Sequence, residues 1–348
     1  MPMKPEELEL LKRLTLTPGV SGFESPIATE IRSIVEDFVD SDRIRMDNIG
    51  NLIVEIGEGD RHLVMAAHMD EIGMVVSNIE KDGTLRIRTV GGVDNRTLIA
   101  REVLIYTEKG PVPGVIGIKA PHLTLDPEEA KKVPKYETIK VDVGTRSKEE
   151  TEKLGIKILD PITIKKDFDV MNGKYIISRA LDNRVGTYGI LRALQILSKK
   201  KLNKRISFVW TVQEEIGLRG AFVVSNTMKP DWAIAVDTYT TTDAPDMPTH
   251  LVPIVLGKGP VLRILDGRFI AAEHIRKKVE EIAKKSKIPY QKGLTGGTTD
   301  ASAIQESGTA VIPIGVPMRY THSPVEVVHA HDIDNFVKLL VAVAEKIE

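Results

Sequence analysis

The 348-residue sequence contains no cysteine. That absence excludes a disulfide framework, a thiol nucleophile and thiolate metal ligands, so any metal ion must be held by His, Asp and Glu side chains. An excess of one charge is missing as well: 48 Lys and Arg stand against 49 Asp and Glu, for a formal net charge of -1. Without a basic or acidic block longer than a few residues there is no electrostatic reason to expect nucleic acid or an anionic membrane as partner, and a small molecule or peptide is the better expectation. No apolar run approaches the roughly 20 residues of a membrane span. The N-terminal stretch Met1-Pro2-Met3-Lys4-Pro5-Glu6-Glu7 lacks the apolar core of a signal peptide, so the expected location is the cytoplasm.

What is present is an α/β rhythm with one interruption. The chain exceeds the roughly 100 to 200 residues of an ordinary domain, which implies a large α/β domain with an insertion, or two domains. Two short helices are expected around the turn Thr17 to Gly22, with Ser25 as cap and Pro26 in the first turn of the second. Ile27, Ile31, Ile34, Val35 and Phe38 recur at helical spacing, and strand-like runs follow at Asn51 to Ile56 and Leu63 to Ala67. From about Glu71 to Lys165 short alternating stretches are broken by Gly and Pro, which reads as a small β-rich unit. The rhythm then resumes with a helix over Asn183 to Leu197, strands Ile206 to Val212 and Trp232 to Val236, a helix from about Ala272 to Lys285, and the strand Ala310 to Val316. Asp332 is expected to cap a last helix. The expected fold is a mixed-sheet α/β domain with helices on both faces, formed by residues 1–70 and 166–348, with residues 71–165 inserted as a small barrel-like β domain.

Several potential ligands share a position at a strand edge or helix start. His68 follows Leu63 to Ala67, Glu214 and Glu215 follow the run ending at Gln213, Asp237 follows Ala233 to Val236, His322 comes soon after the strand ending near Val316, and Asp182 precedes a helix. Open α/β sheets place ligands in the crevice beyond the carboxyl ends of their strands. Taken singly, Asp182 or Asp237 reads as a cap or turn residue and His68 as a hydrogen-bonded core histidine. Two adjacent carboxylates at the end of a buried run are harder to dismiss, because their desolvation must be compensated by metal or cations. His62, His250 and His274 read as solvated, His329 and His331 as neighbours of a helix cap, His122 as part of a proline-containing connection, and Gly296-Gly297 as a turn beside the site.

The motifs His68-Met69-Asp70-Glu71-Ile72-Gly73, Ala180-Leu181-Asp182-Asn183-Arg184, Val212-Gln213-Glu214-Glu215-Ile216-Gly217, Ala235-Val236-Asp237, Gly296-Gly297-Thr298-Thr299-Asp300-Ala301 and Arg319-Tyr320-Thr321-His322-Ser323 occur in order. Together they resemble the TET family of dinuclear metallo-aminopeptidases, over most of the chain. The resemblance implies two divalent ions per subunit, zinc or cobalt, bridged by Asp182. His68 and Asp237 would complete one metal site, Glu215 and His322 the other. Glu214 would be the general base, and Asp70 would accept the second N–H of His68. It further implies a cis bond after Asp182, where this chain has Asn183 and the family often has Asp. The implied reaction is hydrolysis of N-terminal residues from peptides by water activated between two metals, in a homo-oligomer, a tetrahedral dodecamer built from dimers that pair through the insertion.

Two other chemistries fit parts of the pattern. A metallo-carboxypeptidase or deacylase would use an arginine to bind a carboxylate, and Arg319 stands near His322. A glycoside hydrolase, a label that some relatives carry, needs two carboxyl groups about 5 to 5.5 Å or 6.5 to 9.5 Å apart flanking one bond, for which the adjacent Glu214 and Glu215 are poorly suited. The loops Thr238 to Asp243 and Leu294 to Thr299 are mostly small or polar, which speaks against a pocket made only for large apolar side chains.

Overall fold

The structure is a computed structural model that describes residues 3–124, 126, 128, 131–165, 167–245 and 247–348. Helices α1 (Pro5–Leu16) and α2 (Ser25–Glu36) are followed by strands β1 (Ile44–Met46), β2 (Leu52–Ile56) and β3 (His62–His68). Six strands come next: β4 (Gly73–Ile79), β5 (Leu85–Val90), β6 (Arg101–Thr107), β7 (Gly110–Ile116), β8 (Lys140–Val141) and β9 (Pro161–Ile164), with the short helix α3 (Lys148–Lys153) before β9. The hairpin β10 (Phe168–Met171) and β11 (Tyr175–Ser178) leads into α4 (Leu181–Leu197), β12 (Arg205–Thr211), α5 (Arg219–Met228) and β13 (Trp232–Thr240). Then come β14 (Val261–Leu265), α6 (Glu273–Lys285), β15 (Gln291–Leu294), α7 (Asp300–Gln305), β16 (Ala310–Arg319), β17 (Glu326–His329) and α8 (Ala330–Lys346). Among the described residues no helix is long and apolar enough to cross a membrane.

The larger sheet runs β1-β2-β12-β3-β13-β16-β17-β11-β10, with β14 and β15 branching from β16. Its centre is parallel: β12 pairs with β3, β3 with β13, and β13 with β16. Leu63, Met65 and Ala67 of β3 join a core with residues of α1, α2, α4, α6 and α8, while Val64 and Ala66 pack with residues of α5 and α7 on the other face. A strand buried on both faces needs an unbroken apolar run, which is what Leu63 to Ala67 supplies. Burying each Leu, Val or Phe side chain in such a core stabilises the fold by about 1.5–3 kcal/mol.

The smaller sheet, β7-β6-β9-β4-β5-β8, is antiparallel throughout. Paired hydrogen bonds between Val115 and Asp142 bring its two edges together, so the sheet nearly closes into a barrel around Met74, Val76, Ile87, Ile105 and Ile162. At its neck, Arg179 donates to the carboxylate of Glu71 and to the carbonyl of Ile72, 3.0 Å away. Glu71 also accepts from the amide of Gly19 at 2.9 Å, so the N-terminal turn is fastened to the same point.

Three local expectations are corrected. Glu24, not Ser25, occupies the cap position of α2, and its carboxylate accepts from the amides of Gly22 and Gln213. His329 caps α8, its Nδ1 accepting from the amide of His331 at 3.1 Å, because β17 runs straight into the helix. Asp332 is thereby left inside the first turn, where it accepts from the amides of Gly257 and Gly259. His62 is buried instead of solvated: it begins β3, and its Nε2 lies 2.7 Å from the Ser207 hydroxyl. Burial, with Arg205 alongside, lowers its pKa to about 4.

Helices α4 and α8 meet where Gly189 faces Phe336; a Cβ added at Gly189 would sit 2.1 Å from Phe336 Cε1. Alanine is the better helix former by roughly 0.8–1.0 kcal/mol. Overpacking a fully buried ring costs typically about 1–3 kcal/mol, so the clash outweighs the propensity. Gly189→Ala is expected to lower the stability to guanidinium unfolding by about 1 kcal/mol, the difference between the two effects. A midpoint equal to that of the parent chain would contradict the close approach of the two helices.

Candidate metal centre

Because β12, β3 and β13 are adjacent and parallel, their carboxyl ends share one rim. His68 ends β3, Asp237 lies inside β13, and Asp182 enters from the start of α4 with a cis bond to Asn183. His322 comes from the loop between β16 and β17. Glu214 and Glu215 follow β12 in a turn in which Gln213, Gly217 and Leu218 all have positive φ, 57°, 119° and 58°. That turn ends the strand alternation, so two neighbouring carboxylates face one site.

All seven residues singled out in the sequence meet here. His68 Nε2 lies 3.4 Å from Asp182 Oδ1, 3.7 Å from Asp237 Oδ1 and 4.0 Å from Glu214 Oε2. His322 Nε2 lies 3.2 Å from Glu215 Oε1 and 3.7 Å from the other oxygen of Asp182, Oδ2. The two oxygens of one aspartate therefore face two different imidazoles. Asp182 Oδ1 is buried and has no hydrogen-bond partner. Two ligand atoms bound about 2.0–2.2 Å from a tetrahedral zinc-like ion are separated by roughly 3.4 Å, so the spacings at both imidazoles suit a shared cation better than direct hydrogen bonds. The groups His68, Asp182, Glu215 and His68, Glu214, Asp237 each bring a ligand atom to within 4.8 Å of the others. The donor set, nitrogen and carboxylate oxygen without sulfur, fits two divalent ions.

The electrostatics agree with that fit. Burial raises the pKa of Glu214 well above the carboxylate range, against the pull of His68, and Asp237 and Asp300 add to the rise. Burial also raises Glu215 and Asp237. At His322 burial opposes the charged form, but Glu215 and Asp182 outweigh it and lift the pKa to about 10. Carboxylates this crowded need positive charge nearby, and a divalent ion is the compact way to provide it.

Asp70 organises the site from behind. Its carboxylate accepts from the Ser21 hydroxyl at 2.6 Å and from the amides of Glu214 and Glu215 at 3.0 and 3.2 Å. Its Oδ1 stands 3.5 Å from His68 Nδ1, beyond hydrogen-bond geometry. Asn183 uses both ends of its amide: Nδ2 donates to the carbonyl of Val236 at 2.7 Å and Oδ1 accepts from the amide of Gly186 at 3.0 Å. A carboxylate at that position could not make the first bond.

Sequence reasoning passes over Ser21 and the buried pair Thr211 and Asp300, joined at 2.6 Å. Ser21 acts across 49 residues of sequence, and nothing local marks it. Asp300 had a local signal, an aspartate in the glycine- and threonine-rich stretch 296–301. Beside the carboxylates opens a cleft of about 620 Å³, whose walls include Thr238, Thr240, Arg263, Arg268 and the stretch Thr295 to Thr298. His122, His250 and His274 are exposed and stand outside it.

With this geometry the chain was compared with known proteins. The sequence pattern of the family described as M42 glutamyl aminopeptidase matches residues 50–339. A lysyl aminopeptidase of Pyrococcus furiosus is 36% identical over 346 residues, covering 98% of this chain and 97% of the relative. The solved structure of Pyrococcus horikoshii TET1 peptidase, described as able to assemble into a tetrahedron or a large octahedral shell, superimposes with a TM-score of 0.90 at 41% identity, over 98% of this chain and 100% of that one. A Thermotoga maritima structure named endoglucanase reaches a TM-score of 0.79 at 31% identity, over 97% of this chain and 96% of that one. A rim of imidazoles and carboxylates at parallel strand ends, carried on a chain that matches these peptidases along nearly its whole length, is a member of the M42 glutamyl aminopeptidase family and a peptide-bond hydrolase.

Proposed function

We propose that this chain removes residues from the free N-terminus of peptides, with His68, Asp182 and Asp237 holding one divalent ion and Asp182, Glu215 and His322 a second. The observation that carries the reading is the division of Asp182 between two imidazoles, Oδ1 towards His68 and Oδ2 towards His322. When bound, the ions would polarise the scissile carbonyl and lower the pKa of the attacking water. Glu214 borders the same space and is the farthest of the three carboxylates within 4.0 Å of His68 Nε2, behind Asp182 and Asp237, which suits a proton carrier better than a ligand of that ion. Its carboxylate takes the proton that water releases and passes it to the departing amine nitrogen. Ser21 and the amides of Glu214 and Glu215 fix Asp70, and Asp70 in turn fixes the turn that aims both glutamates.

The rival chemistries fare less well. Arg319 pairs with Asp243 at 3.1 Å and lies over the ring of Tyr175, so it is already engaged and is not offered to a substrate carboxylate. Glu214 and Glu215 both hang from Asp70 on one side of the site, which does not suit two carboxyls flanking a sugar bond. Turnover of aminoacyl amides with a free amine, set against N-blocked analogues, tests the proposal directly. Hydrolysis of only the free amines, lost on chelation and restored by zinc or cobalt, is expected. Within the panel, the cationic Arg268 in the cleft wall favours acidic over basic N-terminal residues, whereas Arg263 is already paired with Asp266 at 3.1 Å. Turnover that survives chelation, or that prefers blocked substrates, would overturn the assignment.

The two glutamates separate by variant. Glu214→Gln is expected to retain both ions and to lose about 10²- to 10⁴-fold in turnover. Glu215→Gln is expected to weaken one ion. Elemental analysis alongside peptide hydrolysis reads both effects, and loss of metal from Glu214→Gln would reject its role as base.

The barrel-like sheet, residues 71–165, is proposed as a domain through which subunits pair within a larger shell-like homo-oligomer of twelve chains. Its surface exposes large apolar side chains, among them the adjacent Ile158 and Leu159, and exposed apolar groups of this kind mark contacts. Replacing both with Asp should yield a smaller species in analytical ultracentrifugation. A large particle unchanged by the double substitution counts against that use of the surface.

A further inference from the structure

Glu326 opens β17 with 2 % of its surface exposed. Its carboxylate accepts two backbone amides: that of Asp182 at Oε2, 3.2 Å away, and that of His322 at Oε1, 3.0 Å away. These are the amides of the two residues whose side chains face each other at 3.7 Å. Neither backbone is fixed by a regular element. Asp182 has non-helical angles within the kinked entry to α4, and His322 sits in a loop with φ of 61°.

Burying a carboxylate is costly unless it is paired. Among the described residues no Lys or Arg pairs with Glu326, and the negative Asp182 stands close by, so its charge does not earn its place through an ion pair. A carboxylate is nevertheless the side chain that can accept from both amides at once. Glutamine would offer one acceptor and turn an N–H donor towards the other amide.

We propose that Glu326 is a positioning residue that clamps the backbones of Asp182 and His322 together, so that their side chains are set for the second divalent ion. This rests on the two-ion reading given above. The clamp joins the backbones of Asp182 and His322, 140 residues apart in sequence (144 less 4), and no other described hydrogen bond joins them. Groups behind metal ligands typically contribute about 10- to 100-fold in metal affinity.

The test uses the full chain, stripped of metal and titrated with Co²⁺ by its visible absorption, with bound ions counted after dialysis and thermal unfolding recorded in parallel. The parent chain is expected to bind two Co²⁺. Glu326→Gln is expected to bind the second about 10- to 100-fold more weakly, with peptide turnover recovering as Co²⁺ is raised. Glu326→Asp keeps the charge but is one methylene too short to span both amides, so it should weaken the same ion, and it carries the test if the Gln variant does not fold. Parent-like Co²⁺ binding in Glu326→Asp would reduce Glu326 to a bare negative charge and overturn the clamp. A lowered unfolding temperature with an unchanged titration in both variants would overturn it too, leaving a purely stabilising role. A parent chain that binds fewer than two ions would instead overturn the two-ion reading itself.

Discussion

Desolvation of the carboxylates around Asp182 is the constraint to which the surrounding structure answers. Asp70, Asp182, Glu214, Glu215, Asp237, Asp300 and Glu326 are drawn into one buried neighbourhood at the strand ends, with two imidazoles among them. Each ionised carboxylate taken out of water costs several kcal/mol after relaxation. Amide donors offset part of this at Asp70 and Glu326, a threonine hydroxyl at Asp300, and the remainder calls for cations. The parallel strands supply the geometry that makes such crowding feasible, because their ends converge while their interiors bury apolar side chains on both faces.

Seen from this constraint, the surrounding loops have a common task. The N-terminal turn delivers Ser21 to Asp70 and the Gly19 amide to Glu71, and Glu24 receives the amide of Gln213 just before the two glutamates. From the barrel side, a Cβ at Gly92 would come within 2.8 Å of His322 Nδ1, so a bare backbone there lets the imidazole reach its place. The site is thus walled by segments far apart in sequence, which fix or make room for the residues of the rim.

The parts of this arrangement that follow local rules are legible in the sequence. Leu63 to Ala67 and Ile206 to Thr211 read as strands because buried parallel strands are continuous apolar runs, and polar residues at their ends stand out against them. The six motifs add the family and, with it, the proposed pairing of ligands. What escapes is set by contacts across long separations: Ser21 with Asp70, Glu326 with Asp182, His62 with Ser207. Capping misleads for a related reason. Ser25 and Asp332 have the right chemistry for caps, but tertiary neighbours claim the positions, Glu24 bonding to Gln213 and Asp332 to the amides of Gly257 and Gly259.

The neck of the barrel has a consequence for how this architecture can diversify. Arg179 joins Glu71 and the Ile72 carbonyl, so the chain is closed on itself before and after the excursion that forms the barrel. The entropy of closing a loop grows only slowly with its length, about 0.6 kcal/mol for each doubling. With the closure made at the foot of the barrel, changes in the length or surface of the excursion away from Gly91 and Gly92, which approach Glu215 and His322, leave the rim of carboxylates where it is. The far side of the barrel is in this sense a separable cassette, whose length and surface can change without moving the carboxylates below it.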